Sequence, residues 1–366
     1  MKRIIPALFL FLLPLSFAAE NSIRLSAEVL WQLQRVGQPM VSPDGGQVVV
    51  PVTTYPEDGG DANSRLWLLG MDGEVEQRPL TAEEGNASGP VFSPDGSQLA
   101  FVRKANKEDA PQVYKMPMRG PGEAVKLTDV PTGVSAIKWV GDHIYFISNV
   151  WPEMSFDEMK EKIEADKESK LSAKVWNEMP YSHWDSWIAE DRQNHLYRVH
   201  ETGGYVEALT LPMGIQLSRA DVDASDYDVS PNGALLAFVA DGGEGGVYPD
   251  EDIFVSQIEP AKAKNITEDN SAPDDRPMFS PDGRLLAFSR QHINGFYADQ
   301  VKLMIHETRS GRTRMVHDDW DRSAEGLAWA PDSKGLFGAI DDEGTRRVYY
   351  VPLNGDAPSA TTGKTD

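Results

Sequence analysis

The side chains best suited to chemistry gather in one short stretch, Tyr181-Ser182-His183-Trp184-Asp185-Ser186-Trp187. An imidazole beside a carboxylate can hold and move a proton, and flanking indoles can grip apolar or cationic groups. The commoner use of such residues is structural, with His183 and Asp185 pinning a long insertion. His183, Trp184, Asp185 and Trp187 are therefore candidate contacts for a substrate or partner.

Other chemistries fare worse. With no cysteine among 366 residues, disulfides, thiolate zinc sites and a cysteine nucleophile are excluded. His195 and His200 lie five apart in a strand pattern, so they face opposite ways and cannot share a metal ion. The run from Asp221 to Asp228 resembles the start of a calcium loop, but Asp226 stands where the glycine belongs and Asn232 where the closing Glu belongs. The glycine-rich Asp241-Gly242-Gly243-Glu244-Gly245-Gly246 sits in no strand-to-helix context, and its acids repel phosphate. Neither a metal nor a cofactor is expected. The 35 Lys and Arg against 57 Asp and Glu give a charge of −22, which disfavours nucleic acid and anionic lipid.

The elements that position these residues come from a repeat. Val41-Ser42-Pro43-Asp44-Gly45 recurs as Phe92-Ser93-Pro94-Asp95-Gly96, Val229-Ser230-Pro231-Asn232-Gly233, Phe279-Ser280-Pro281-Asp282-Gly283 and Trp329-Ala330-Pro331-Asp332-Ser333, with a degenerate form at Trp139-Val140-Gly141-Asp142-His143. The third residues fall at 43, 94, 141, 231, 281 and 331, in steps of 51, 47, 90, 50 and 50. Ser-Pro-Asp-Gly suits a type I turn, with proline fixing φ and glycine ending the turn. Alternating strands follow, such as Gln98-Leu99-Ala100-Phe101-Val102, apolar on both faces as in sheets packed between neighbours. A period near fifty with four strands per unit reads as propeller blades.

The expected fold is all-β: a propeller of about six four-stranded blades, or a seven-bladed ring short of one, with one short helical insert. Residues 1–18 read as a signal peptide: Lys2-Arg3, an apolar run from Ile4 to Phe17, and cleavage after Ala18. Residues 19–39 read as a lead-in and 40–366 as the propeller. Its blades are expected near 40–82, 90–130, 136–212, 227–268, 277–318 and 327–363. The 90-residue step places an insert at 152–190, with a helix over 156–171 opened by the capping box Ser155-Phe156-Asp157-Glu158 and supported by the pairs Glu158–Lys162, Lys160–Glu164 and Asp166–Lys170. A periplasmic or secreted protein without a membrane anchor is expected.

The His-Trp-Asp segment, followed by Asn194-His195-Leu196-Tyr197, resembles the N-terminal propeller of secreted bacterial serine peptidases of the prolyl oligopeptidase family, in its acylaminoacyl-peptidase and dipeptidyl-peptidase-like branch. Three stretches share the likeness: Leu30-Trp31-Gln32-Leu33-Gln34-Arg35-Val36-Gly37, Gly295-Phe296-Tyr297-Ala298-Asp299, and Trp320-Asp321-Arg322-Ser323. They add Tyr297 to the candidate contacts. The resemblance implies a two-part enzyme, with a propeller that filters substrates by size and a C-terminal α/β-hydrolase domain carrying Ser, Asp and His. That domain needs a Gly-x-Ser-x-Gly elbow. Gly85-Asn86-Ala87-Ser88-Gly89 puts serine one place late, and Gly133-Val134-Ser135-Ala136-Ile137 lacks the closing glycine. No catalytic residue is therefore assigned.

Two readings follow. In the first, the chain is the non-catalytic propeller of such a peptidase, gating or docking peptides, with peptides or a separate catalytic domain as partners. In the second, it is a stand-alone periplasmic propeller of the TolB type that binds peptide or protein. An open ring would expose strand edges and an apolar face, and so favour self-association.

Overall fold

Each Ser-Pro-Asp-Gly segment builds the same turn. Gly45 N donates to Ser42 O, the Ser42 hydroxyl donates to Asp44 Oδ1 at 2.6 Å, and Gln47 N returns to the Ser42 hydroxyl at 2.9 Å. The set recurs at Ser93–Asp95, Ser230–Asn232 and Ser280–Asp282. Gly45, Gly96, Gly233 and Gly283 take φ of 69–73°, a left-handed conformation that glycine enters at no steric cost. In the sixth blade Ala330 supplies no hydroxyl and Ser333 takes the left-handed place at φ 60°.

The computed structural model describes residues 25–361, except 57–58, 72, 74–75, 120–121, 172, 174–181, 184–185, 188–190 and 242–249; of 182–183 and 186–187 it describes the backbone alone. The stretch read as a signal peptide, Trp184, Asp185 and the glycine-rich run after Asp241 lie outside the described residues.

The chain is a six-bladed, all-β propeller. The blades span 35–79, 86–126, 135–208, 227–265, 274–316 and 327–360, each a sheet of consecutive antiparallel strands in sequence order. The first blade begins earlier than the repeat suggests. Arg35–Val36 and Met40–Val41 both pair with Gln47–Thr54. They form one inner strand interrupted at Gly37-Gln38-Pro39, where the proline has no N–H to offer the ladder. Ahead of it Ala27–Gln32 is a short helix capped by Ser26.

Packing follows the alternation along each second strand. Leu99 and Phe101 face the first blade, while Ala100 and Val102 face the third. Leu236 and Phe238 likewise face the third blade, and Ala237 and Val239 face the fifth. Where Ala100 and Val102 or Ala237 and Val239 are presented, larger side chains of the next blade pack against them, and between the third and fourth blades Leu236 and Phe238 meet Tyr145 and Ile147.

The first strands of neighbouring blades also lie against one another and so line the axis. Lys138 Nζ pairs with Asp228 Oδ1 at 3.0 Å, Asp228 Oδ2 accepts from Phe279 N at 2.7 Å, and Trp329 Nε1 donates to Met278 O at 3.0 Å. These partners are 90, 51 and 51 residues apart, within one residue of the repeat steps of 90, 50 and 50. A second latch recurs where the fourth strand ends in the first four blades. Thr81, Thr128, Thr210 and Thr267 each accept, through the hydroxyl, the backbone N–H of Leu66, Val113, Leu196 and Ile253.

Candidate functional site

In a four-stranded antiparallel blade the loops after the second and fourth strands share one face of the ring. That face holds the long insert of the third blade, the 291–301 loop of the fifth, and the segments entering each first strand.

The insert is anchored at both ends. Trp151, where it leaves the blade, donates from Nε1 to Asp191 Oδ2 at 2.8 Å, and its ring stacks under Arg192 at 3.9 Å, where the chain returns. The helix spans Phe156–Glu168 and carries both halves of the capping box. Met159 is buried, and Phe156 and Ile163 pack beside it on the third blade. Two expectations need correction. The helix stops at Glu168 rather than 171, because Leu171 beyond it is exposed and has no core to cover. Glu158 turns back to the Ser155 N–H at 2.7 Å instead of reaching Lys162, which pairs with Asp166 at 3.1 Å. A groove of about 360 Å³ separates this helix from the second blade, bordered by Tyr114, Lys126, Phe156 and Lys160.

Of the candidate residues, His183 and Trp187 lie in a small hairpin, Ser182–His183 paired with Ser186–Trp187. Trp184 and Asp185 lie outside the described residues. Tyr297 stands apart from them, in a loop of the fifth blade, with the fourth blade between. It is 99% exposed. Its loop is firmly built: Asp299 accepts from the N–H groups of His292, Ile293 and Gln300 at 2.7–2.9 Å, and these bonds hold its carboxyl below the usual range. Ile293 and Phe296 are exposed on the same loop.

The remaining signals are structural. His195 is buried, with Nδ1 on the Thr210 hydroxyl and Nε2 on Gln193, both at 3.0 Å, and burial lowers its pKa to about 4. His200 lies on the other side of the strand, against His143. Trp320-Asp321-Arg322-Ser323 joins the last two blades. Trp320 packs on Tyr349, Arg322 reaches Asp342 at 2.8 Å, and the Ser323 hydroxyl accepts from Val301 N. The Asp221–Asp228 run folds on itself, with Asp223 Oδ1 accepting from Ser225 N and Asp228 engaged by Lys138. Among the described residues no group of three or more His, Asp or Glu could hold a metal ion.

Sequence reasoning missed the inner rim. Asp226, Asp275 and Glu325 stand where the first strands of the last three blades begin, with Glu251 opening the third strand of the fourth blade. Burial, with Asp223, Glu251 and Asp275 nearby, pushes Asp226 up to about 6. Burial also raises Asp275 to about 6, helped by Glu251 and Glu325 and opposed by Arg276. Arg276 occupies a bulge with φ of 56°. Gly89, Ala136 and Gly326 hold the corresponding place in three other blades, at φ of 55°, 53° and 57°. Aligning the repeat units beyond their turns would have exposed this position.

No family model matches the chain. It is 24% identical over 350 residues to dipeptidyl-peptidase 5 of Porphyromonas gingivalis, covering 93% of this chain and 50% of that protein. Dipeptidyl-peptidase 5 of Aspergillus fumigatus is also 24% identical, over 378 residues, with 93% and 51% covered. The chain thus spans about half the length of these curated relatives. Among solved structures, acylaminoacyl peptidase of Pyrococcus horikoshii matches at a TM-score of 0.64 and 14% identity, over 90% of this chain and 46% of that one. The β-propeller domain of the Trilobed protease of Pyrococcus furiosus, described as having an open velcro topology, matches at 0.60 and 11% identity, over 91% and 86%. At those identities the structures speak for the fold. The chain is a six-bladed propeller homologous to about half of a dipeptidyl-peptidase 5 chain.

Proposed function

We propose that this chain is the propeller of a prolyl-oligopeptidase-type serine peptidase, and that it docks or gates peptides without cleaving them itself. The observation that carries the reading is the match of 93% of the chain to half of a dipeptidyl-peptidase, in a sequence with no Gly-x-Ser-x-Gly elbow. The long loops on one face, the aromatic insert and Tyr297 among them, support peptide contact there. The reading includes export, supported by Lys2-Arg3, the apolar run to Phe17 and the small residues up to Ala18.

The purified chain, incubated with acyl and dipeptidyl chromogenic substrates, is expected to give no turnover. Hydrolysis that a serine-directed inhibitor abolishes would overturn the reading. N-terminal sequencing of exported protein should begin at Ala19.

A further inference from the structure

We propose that copies of this chain associate head to tail, with the outward face of the sixth blade of one copy seated on the outward face of the first blade of another. The inference goes beyond peptide docking and does not rest on it.

The blade interfaces supply the first observation. Each of the five apolar clusters joins the forward face of one blade, the side towards the blade that follows, to the backward face of the next. Two faces are left over, the backward face of the first blade and the forward face of the sixth. Val36 and Val41 are exposed on the one, Phe337 and Val348 on the other. Among the described residues no cluster and no sheet brings these two faces together. They are the two halves of one kind of interface, each without its counterpart.

Side-chain size is the second observation. Five residues past the turn glycine, the backward faces of the second to fifth blades carry Phe101, Phe146, Phe238 and Phe288. The first blade has Val50 there. One position earlier in the unit, the forward faces of the second, fourth and fifth blades carry Ala100, Ala237 and Ala287, and the sixth has Phe337. The bulk missing from the first blade's face stands on the sixth blade's face, so the two can fill each other's space as close packing requires.

Charge agrees, at the hairpin end of both faces. On the first blade Arg65 lies opposite Val52 and holds the Thr81 carbonyl at 3.0 Å, with no carboxylate partner among the described residues. On the sixth, Asp341 is exposed and only loosely paired with Arg346, at 3.8 Å. Seating one face on the other sets a guanidinium that lacks a carboxylate against a carboxylate that lacks a close cation. Within one chain, five packed interfaces fix where the sixth blade stands, and packed cores do not deform continuously. A second copy brings the matching face with no repacking. Because the two faces differ, the contact is heterologous, and copies add end to end unless the rotation closes a ring.

The experiment is sedimentation velocity of the full chain over a concentration series, with thermal midpoints recorded. Phe337→Arg breaks the sixth-blade face and Val36→Arg the first-blade face, each at an exposed position, and Val348→Arg and Val41→Arg repeat the two breaks. Wild-type mass should rise with concentration past that of a dimer. Each variant alone should associate at least about ten-fold more weakly, with an unchanged midpoint. An equimolar mixture of Phe337→Arg and Val36→Arg should form heterodimers with wild-type affinity and stop there, since each copy keeps the face that the other has lost. A wild type that stays monomeric overturns the proposal, as does a mixture no more associated than its components. Like-with-like pairing, in which Val36→Arg alone still dimerises and Phe337→Arg does not, overturns it too. So does a lowered midpoint in both variants of either face, because those side chains are then covered within the chain.

Discussion

The interface between the third and fourth blades and the outward face of the sixth blade use the same strand pattern to opposite ends. In the interface Leu236 and Phe238 pack against Tyr145 and Ile147, all fully buried. On the sixth blade Leu336 is buried against the fifth, whereas Phe337 and Val348, on the face turned away, are each 38% exposed. The first blade mirrors this, with Val36 at 68% exposure. Five apolar clusters join successive blades, and among the described residues none joins the sixth to the first. Among the described residues no sheet combines strands of these two blades either. Alternation encodes a blade with two apolar faces; the neighbour, not the strand, decides whether a face becomes core.

The largest expected effect breaks an interior interface. Phe238→Ala should cost about 3–5 kcal/mol, since it empties a site walled by rigid strands on both sides. Urea unfolding followed by tryptophan fluorescence measures it. A cost below 1 kcal/mol would mean that interior faces are no better supported than the outer ones.

The next effect cuts the polar chain around the axis. Asp228→Ala leaves Phe279 N without its acceptor and Lys138 Nζ without its charge partner, holding only the Tyr227 carbonyl, so three successive blades lose a shared fastening. Both side chains of the ion pair are largely buried, at 25% and 17% exposure, and the expected cost is about 2–3 kcal/mol. Restoring stability with Lys138→Met in the same chain would show that the cost came from the stranded charge.

Carboxylates divide along similar lines, and pH separates them. Asp226 and Asp275 have folded pKa values raised to about 6 by burial. Between pH 4 and 6 the unfolded chain releases these protons and the folded chain keeps them. Their contribution to stability is therefore present at low pH and falls as pH rises to about 6. His195, lowered to about 4, works the other way, losing its contribution as pH falls from 6.5 towards 4. Asp95, in a turn, is lowered from 3.8 to about 2 by its Ser93 and Ser97 hydrogen bonds, so its contribution is full above pH 4 and is lost as pH falls from 3.8 through about 2. Asp275→Asn should raise stability at pH 7 and flatten the decline between pH 4.5 and 7. An unchanged slope in urea midpoints would show that the rim carboxylates ionise normally.

What was legible in the sequence was what each unit encodes locally. Ser42-Pro43-Asp44-Gly45 carries its own hydrogen-bond set, so its recurrence announced the blades and their period. The two-faced strands were legible because Leu99 and Ala100 must both be buried. The capping box fixed where the insert helix begins, but its end depended on whether Leu171 found a partner, a tertiary matter. The inner rim stayed hidden. Asp226 and Asp275 look like any acid in a chain of charge −22, and nothing in arginine's own propensities announces a left-handed Arg276.

A smaller effect tests the turns. Ser93→Ala removes a hydroxyl that accepts from Gln98 N at 3.0 Å and donates to Asp95 at 2.6 Å. The expected loss is about 1 kcal/mol. Ala330, which fills this place in the sixth blade, is the natural counterpart. Ala330→Ser should recover part of that amount, unless the left-handed Ser333 at φ 60° has already shifted the turn.

The smallest effect returns to the opening contrast, one residue apart on one strand. Leu336 and Phe337 are neighbours that point to opposite faces of the sixth blade. Leu336→Ala, fully buried, should cost about 2–5 kcal/mol, whereas Phe337→Ser should change stability by no more than about 0.5 kcal/mol. The apolar surface that Phe337 shares with Tyr350, ring centres 5.1 Å apart, should instead govern association. Sedimentation velocity over a concentration series should show less self-association for Phe337→Ser than for wild type. If Phe337→Ser instead destabilises the chain as strongly as Leu336→Ala, the outer face is covered in solution, and the sixth blade has the neighbour that the described residues do not supply.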